Sequence, residues 1–258
     1  MKRYGAINGL ILGVISIFGA FLIEGGSISA LFLIAPIIIV FGGTFSAAII
    51  GCGFDKFKNI ITLIKIAYDS KEYNLREMIN SYVEFSIISR RDGLLSVEKH
   101  LARMENYFPQ KIIKNAIDGN DEEDLRNLAH IEMKAMQDRH YSNIFLFSKM
   151  GGYAPTMGIL GTVMALIMTL ANAGQDPNVL INNIATAFIA TLWGVFSANI
   201  FWLPIADKLK QCHMDEKHMM EMSLEGTIAL VNGEVPSVLK ARLISMLPQK
   251  EQLELMKM

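Results

Sequence analysis

The chain has 258 residues, of which 52% are hydrophobic and only 19% charged, and its formal net charge is −1. That hydrophobic share is high for a water-soluble domain of this length. The near-zero charge offers no broad basic surface, so nucleic acid is not expected as a partner.

Four stretches contain no Asp, Glu, Lys, Arg or His: residues 5–23, 25–54, 150–175 and 177–206. Each approaches or exceeds the ~20 apolar residues that cross a ~30 Å hydrocarbon layer. The fold class expected is all-α, a polytopic membrane protein with four transmembrane helices and a helical cytoplasmic domain. Along the chain this gives the first two spans in 1–54, a cytoplasmic helical domain in 55–149, the last two spans in 150–206 and a cytoplasmic helical tail in 207–258. Lys2 and Arg3 precede the first span, Lys56 and Lys58 follow the second, Lys149 precedes the third, and Lys208 and Lys210 follow the fourth. The two short connections hold only Glu24 and Asp176. Basic flanks mark the cytoplasmic side, which places both termini and the large loop there. The N-terminus also has signal-peptide features, Met1-Lys2-Arg3 before an apolar run and small residues near 27–30. The run is long for a signal core and a second apolar stretch follows at once, so it is expected to stay as a span. Cys52 and Cys212 fall at cytoplasmic membrane edges, where packed thiols are expected and a disulfide is not.

In the first span Gly5, Gly9 and Gly13 recur every fourth residue, a strip that lets another helix approach closely. The second contains Pro36, Gly42-Gly43, Gly51 and Gly53, places for a bend. In the loop, Asp69-Ser70 offers N-cap chemistry before Leu75, Met78, Ile79, Tyr82 and Val83. After Asp92-Gly93, the residues Leu94, Val97, Leu101 and Met104 share one helical face. Pro109 can open a short helix through Ile112, Ile113, Ala116 and Ile117, ended by Asp118-Gly119-Asn120. The acids Asp121, Glu122, Glu123 and Asp124 suit a helix start. No Pro or Gly then intervenes from Leu125 to Gly151, which predicts one helix running into the third span. The tail reads as helix past Pro204, then two short helices around Pro236 and Pro248, the first with Leu239, Leu243 and Met246 on one face. No strand is expected.

The spans carry no carboxylate, amine or imidazole, so the chain has no proton-relay group of its own. If it moves ions, another protein supplies the carrier. No Gly-rich phosphate loop, zinc-spaced cysteine pairs or nucleophile elbow is present, and neither enzyme activity nor a cofactor is expected. Gly158, Thr162, Ala165 and Thr169 share one face of the third span, and Ala187, Thr191, Gly194 and Ala198 repeat the pattern in the fourth. Two readings stay open: tight packing with hydroxyls bonding their own i−4 carbonyls, or an ion path to which Thr162 and Thr191 offer oxygens. Pro155 and Pro204, at the cytoplasmic ends of these spans, free carbonyls where a helix can flex.

The run Gly151-Gly152-Tyr153-Ala154-Pro155-Thr156-Met157-Gly158-Ile159-Leu160-Gly161-Thr162-Val163 resembles the third-span signature of the MotA/TolQ/ExbB family, in its MotA branch. The run Ala185-Thr186-Ala187-Phe188-Ile189-Ala190-Thr191-Leu192-Trp193-Gly194 is similar to the fourth, and Arg90-Arg91-Asp92-Gly93-Leu94-Leu95-Ser96-Val97-Glu98 to the rotor-engaging segment. The resemblance extends over the whole chain. It implies an inner-membrane flagellar stator subunit forming a ring of five copies around two copies of a MotB-type partner. That partner is a single-span, peptidoglycan-binding chain carrying the ion-bearing Asp. It further implies that Thr162 and Thr191 line the ion path, Pro155 and Pro204 couple ion passage to movement, and Arg90 and Glu98 contact the rotor protein FliG. Without the resemblance, Arg90 and Glu98 read as a solvated helix surface. Sodium-type members tend to have Thr at the position of Thr162 and many proton-type members Ala; protons are the commoner case. A TolQ/ExbB-type energiser usually has three spans and an extracytoplasmic N-terminus, which Lys2-Arg3 and the second span argue against. A non-conducting membrane scaffold is the remaining alternative.

Overall fold

The computed structural model describes residues 2–172, 174 and 176–256. Ala173 and Gln175, at the end of the expected third span, lie outside them. Among the described residues all regular structure is helical, in two compact units. The first unit gathers residues up to Lys71 with Arg139–Cys212, the second Glu72–Asp138 with the chain from His213 onward. The four segments set out along the sequence thus contribute to two spatial bodies.

The first unit begins with α1 (Lys2–Ile23), followed by short α2 (Ile28–Leu31), α3 (Ile34–Ile37), a π-turn over Ile38–Gly42, α4 (Gly43–Cys52), α5 (Phe54–Lys58) and α6 (Ile60–Tyr68). Three helical stretches are long and apolar enough to cross a membrane: Ile34–Cys52, Glu122–Ala171 and Pro177–Val231. The shorter apolar stretch Ile7–Ile23 occupies α1. Leu12, Leu170 and Phe188 are 66%, 76% and 71% exposed in the single chain. In water such a belt would be a liability, and against hydrocarbon it costs nothing.

The expected second span is broken into pieces, and the reasons are local. Pro36 sits in the first turn of α3, where its missing N–H would have no helical acceptor anyway. The π-turn ends at Gly42-Gly43, and Gly43 lets Met157 come close: a Cβ there would lie 2.6 Å from its sulfur. Gly53, with φ 86°, turns the chain between α4 and α5. The break at Phe32-Leu33 carries no proline or glycine. It leaves the Leu31 carbonyl without a helical donor, and the Trp193 indole N–H supplies one at 2.8 Å. Phe18, Phe32, Phe41 and Phe196 surround that indole with ring centroids 5.6–6.2 Å away.

The second unit holds α7 (Leu75–Asp92), a 3₁₀ helix over Leu94–Arg103, α8 (Tyr107–Ile117), the first part of α9 (Glu122–Ala171), the later part of α11 (Leu203–Val231), α12 (Pro236–Ser245) and α13 (Gln249–Met256). Tyr82, Phe85, Val97, Ile113, Leu125, Met222, Ile228, Leu239 and Leu243 form its core. The Tyr82 hydroxyl donates to the Ser223 carbonyl at 2.8 Å and lies 3.1 Å from the Thr227 hydroxyl. Burial pushes that phenol well above its ordinary pKa.

Two expected details change. The cap of α7 is Asn74, whose side-chain oxygen accepts from the Glu77 N–H at 3.2 Å while its amide donates to the Glu77 carboxylate at 2.9 Å. Asp69-Ser70 does not start that helix; the Asp69 N–H closes the end of α6 on the Lys65 carbonyl. The face of Leu94, Val97, Leu101 and Met104 is realised as a 3₁₀ helix, because spacings of three and four serve either helix. At the start of α9, Asp121 accepts from the Asp124 N–H at 2.9 Å, so one of the four acids works as a cap. α9 then runs 50 residues without a break, as the absence of Pro and Gly predicts for its first half.

Candidate functional site

The small residues of α9 and α10 (Pro177–Ser197) meet along one seam. A Cβ on Gly194 would lie 2.7 Å from the Ala154 carbonyl oxygen and 3.0 Å from the Gly158 Cα. A Cβ on Gly158 would lie 2.9 Å from the Ala190 carbonyl oxygen. The two backbones touch where their glycines coincide, so neither position tolerates a side chain. Gly194→Val is expected to prevent the helices from closing, at a cost above the ~1–3 kcal/mol typical of overpacking, because backbone must move instead of a rotamer. Gly152→Ala, with nothing within 4 Å of its Cβ, should be tolerated; thermal melting of the two purified variants checks the contrast.

One turn along the seam, the hydroxyls of Thr162 and Thr191 lie 2.6 Å apart. The Thr162 hydroxyl also reaches the Gly158 carbonyl at 3.1 Å and the Ala187 carbonyl at 3.2 Å, and the Thr191 hydroxyl reaches Ala187 at 3.5 Å. Four oxygens thus converge beside the small residues Gly158, Ala187 and Gly194. The packing reading is realised here: each threonine back-bonds within its own helix, and the pair bridges the helices. A hydroxyl donates one proton but accepts through two lone pairs. The cluster therefore has acceptor capacity to spare and can stabilise a passing cation or a water chain. Thr169 back-bonds to Ala165 at 2.9 Å on the same face of α9.

The two prolines sit beside this seam in different ways. Pro155 lies inside α9 and leaves the Gly151 carbonyl without its usual donor. Pro204 follows a π-turn over Ala198–Trp202, in which the Leu203 N–H bonds the Ala198 carbonyl. That wider turn relieves the clash of the proline ring with the carbonyl four residues back, on Ile200. A Cβ on Gly151 would overlap the Leu203 side chain. Gly151, whose carbonyl Pro155 frees, and Leu203, which precedes Pro204, are therefore neighbours, a contact no sequence spacing signals.

Arg90 and Glu98 belong to the second unit. The Arg90 guanidinium donates to the Gly233 carbonyl at 2.8 Å, closing the turn after α11. Arg90 therefore holds two segments of the second unit together as well as presenting charge. Glu98 is exposed on the 3₁₀ helix. Between them the Arg91 guanidinium grips Asp92 at 2.7 Å and holds its carboxyl below the usual range. Among the described residues, no group of three or more His, Cys, Asp or Glu is placed to hold a metal ion.

A model of the MotA/TolQ/ExbB proton channel family matches residues 100–222, and one of the motility protein A N-terminal region matches residues 7–86. Motility protein A of Bacillus subtilis is 33% identical over 96% of this chain and 92% of its own length. Motility protein A of Helicobacter pylori is 30% identical over 96% of this chain and 98% of its own. The flagellar MotAB stator complex from Bacillus subtilis contains a chain that superposes with a TM-score of 0.90 at 32% identity, covering 96% of this chain and 98% of that one. A chain of C. jejuni MotAB superposes with a TM-score of 0.89 at 28% identity, covering 95% of this chain and 96% of that one.

Proposed function

The chain belongs to the MotA/TolQ/ExbB proton channel family, and from that premise we propose that it works as a flagellar stator subunit in the bacterial inner membrane. The observation that carries the mechanism is the Thr162–Thr191 pair, set in a seam of two spans that contain no carboxylate, amine or imidazole. Ion transfer then needs a titrating acid from a MotB-type, single-span partner anchored to peptidoglycan. A carboxyl in hydrocarbon has its pKa raised, which lets it load and release an ion as its surroundings change. Each charge crossing gains ~2.3 kcal/mol per 100 mV, enough to drive a conformational step.

In this reading segments 1–54 and 150–206 span the membrane, and 55–149 with 207–258 lie in the cytoplasm, as do both termini. Five copies ring two partners. Thr162 and Thr191 line the path, and Pro155 and Pro204 let its cytoplasmic end yield as the partner's acid titrates. The carried ion is the proton. Liposomes holding the chain with its single-span partner should dissipate an imposed pH gradient, and liposomes holding the chain alone should not. A leak through the chain alone at the same rate would overturn the borrowed-acid mechanism. Persistence of swimming in sodium-free buffer, and its loss with an uncoupler, separates proton from sodium.

Arg90 and Glu98 supply the contact with FliG. Exposed pairs contribute only ~0–1 kcal/mol each, which suits contacts that form and break at every step. Arg90→Ala also loses the bond to Gly233, so its melting point should fall slightly while motility drops. Arg90→Lys keeps the charge and is expected to restore much of the motility without restoring the fork geometry. Soft-agar spreading and thermal melting measured on both variants separate the two roles of this side chain.

A further inference from the structure

Away from the α9–α10 seam, the first unit contains an open cavity of about 530 Å³. One wall is α1, where Gly5, Gly9 and Leu10 line it, and the facing wall includes Ile200 and Ile205. The glycine strip accounts for the shape. At Gly13 the strip is closed, with Ile200 within 3.1 Å of a Cβ placed there, but nothing lies within 4 Å of a Cβ on Gly9 or Gly5. The close approach that the Gly5-Gly9-Gly13 spacing predicts is therefore made at one glycine only. The lining also carries polar side chains, those of Tyr68, Asn199, Asp207, Lys208 and Gln211. Burial pushes the Tyr68 phenol upward, so it stays a neutral donor. An apolar void beside a bilayer forfeits dispersion contacts if left empty and offers few partners to water.

We propose that this groove seats one acyl chain of a phosphatidylethanolamine, with its headgroup phosphate at Lys208 and its ammonium at Asp207. The proposal rests on the topology above, which puts residues 207–211 at the cytoplasmic membrane surface. Adjacent opposite charges at the mouth complement a headgroup that itself carries one charge of each sign. A purely anionic headgroup would meet the Asp207 carboxylate, and a choline headgroup has no N–H to give it. A helix of a second copy is a poorer occupant: at ~10–12 Å across, it would fill the cavity with about one turn.

The test uses the full chain with its single-span partner in nanodiscs of equimolar phosphatidylethanolamine, phosphatidylcholine and phosphatidylglycerol, read by native mass spectrometry. Phosphatidylethanolamine should be retained about tenfold over the other two, as expected for one charge-assisted hydrogen bond. Asp207→Asn should remove that preference, and Gly9→Leu should expel all three lipids. Equal retention of the three lipids by the unmodified protein, or an unchanged preference in Asp207→Asn, overturns the proposal. So does a photocrosslinker at position 9 that captures a neighbouring copy of the chain. If Gly9→Leu does not assemble, Asp207→Asn still decides. Topology is read separately: Lys210→Cys reacting with an impermeant maleimide in intact cells would refute the cytoplasmic placement, whatever lipid is retained.

Discussion

Replacing Thr191 by Val is expected to leave an assembled, stable protein that no longer turns ion flow into torque. The substitution keeps shape and removes one oxygen. No buried donor is orphaned, because the Thr162 hydroxyl retains the Gly158 and Ala187 carbonyls at 3.1 and 3.2 Å. The stability cost is therefore within ~1 kcal/mol, the net worth of an ordinary hydrogen bond. Flux should suffer far more. A hydroxyl facing a charge contributes ~1.5–3 kcal/mol, so losing it slows passage roughly ten- to hundred-fold if Thr191 stabilises the ion in transit. Bead rotation and gradient dissipation in liposomes measure the loss, and membrane abundance and co-purification with the partner confirm assembly. The two hydroxyls are 2.6 Å apart and act as a unit. Thr162→Val combined with Thr191→Val should thus cost less than the two single losses added. A scaffold would respond otherwise: Thr191→Val would rotate at the normal rate, and the ion-path role of the pair would be refuted.

The sequence exposes the spans because hydrocarbon forbids charge, and a charge-free run can be read residue by residue. The seam is legible for the same kind of reason. Gly158, Thr162, Thr191 and Gly194 fall on matched helical faces, and the faces do meet. The sequence does not say that Leu31 ends a helix, since its carbonyl is satisfied by Trp193, 162 residues away. A break without proline or glycine leaves no local mark. The π-turns are also invisible, since a single extra residue per turn changes no periodicity that a short window can resolve. Arg90 illustrates a different gap. Its charge and position suggest an outward role, but its bond to Gly233 depends on where the tail folds back. The Asn74 cap does not stand out in the sequence because Asp69-Ser70 offers similar chemistry five residues earlier, and only the exit from α6 decides between them.

Pro204→Ala is expected to stabilise the protein while disabling it. A proline in a helix interior costs ~3 kcal/mol relative to alanine. The restored N–H at position 204 can bond the Ile200 carbonyl and draw the Ala198–Trp202 π-turn back into a regular α-helix. Packing opposes a full reversion, because Ala198, Trp202, Ile205 and Ala206 are buried on either side of the extra residue, but the π-turn carries a cost of its own. The Trp202 indole N–H is buried without a partner among the described residues, which costs ~1–3 kcal/mol. The melting temperature of the assembled complex should stay level or rise. Torque should fall by roughly tenfold or more, equivalent to ~1.4 kcal/mol or more added to the step in which the helix yields. Hydrogen exchange at residues 198–206 should slow in parallel, since the N–H added at position 204 supplies a backbone hydrogen bond that the proline lacks. A more stable protein that is also less active cannot be explained by misfolding. It requires that the irregular turn before Pro204 be used in the cycle. If Pro204→Ala melts higher, exchanges more slowly and still rotates at the normal rate, the π-turn is only an accommodation of the proline ring, and coupling must run through Pro155 and the Gly151–Leu203 contact instead.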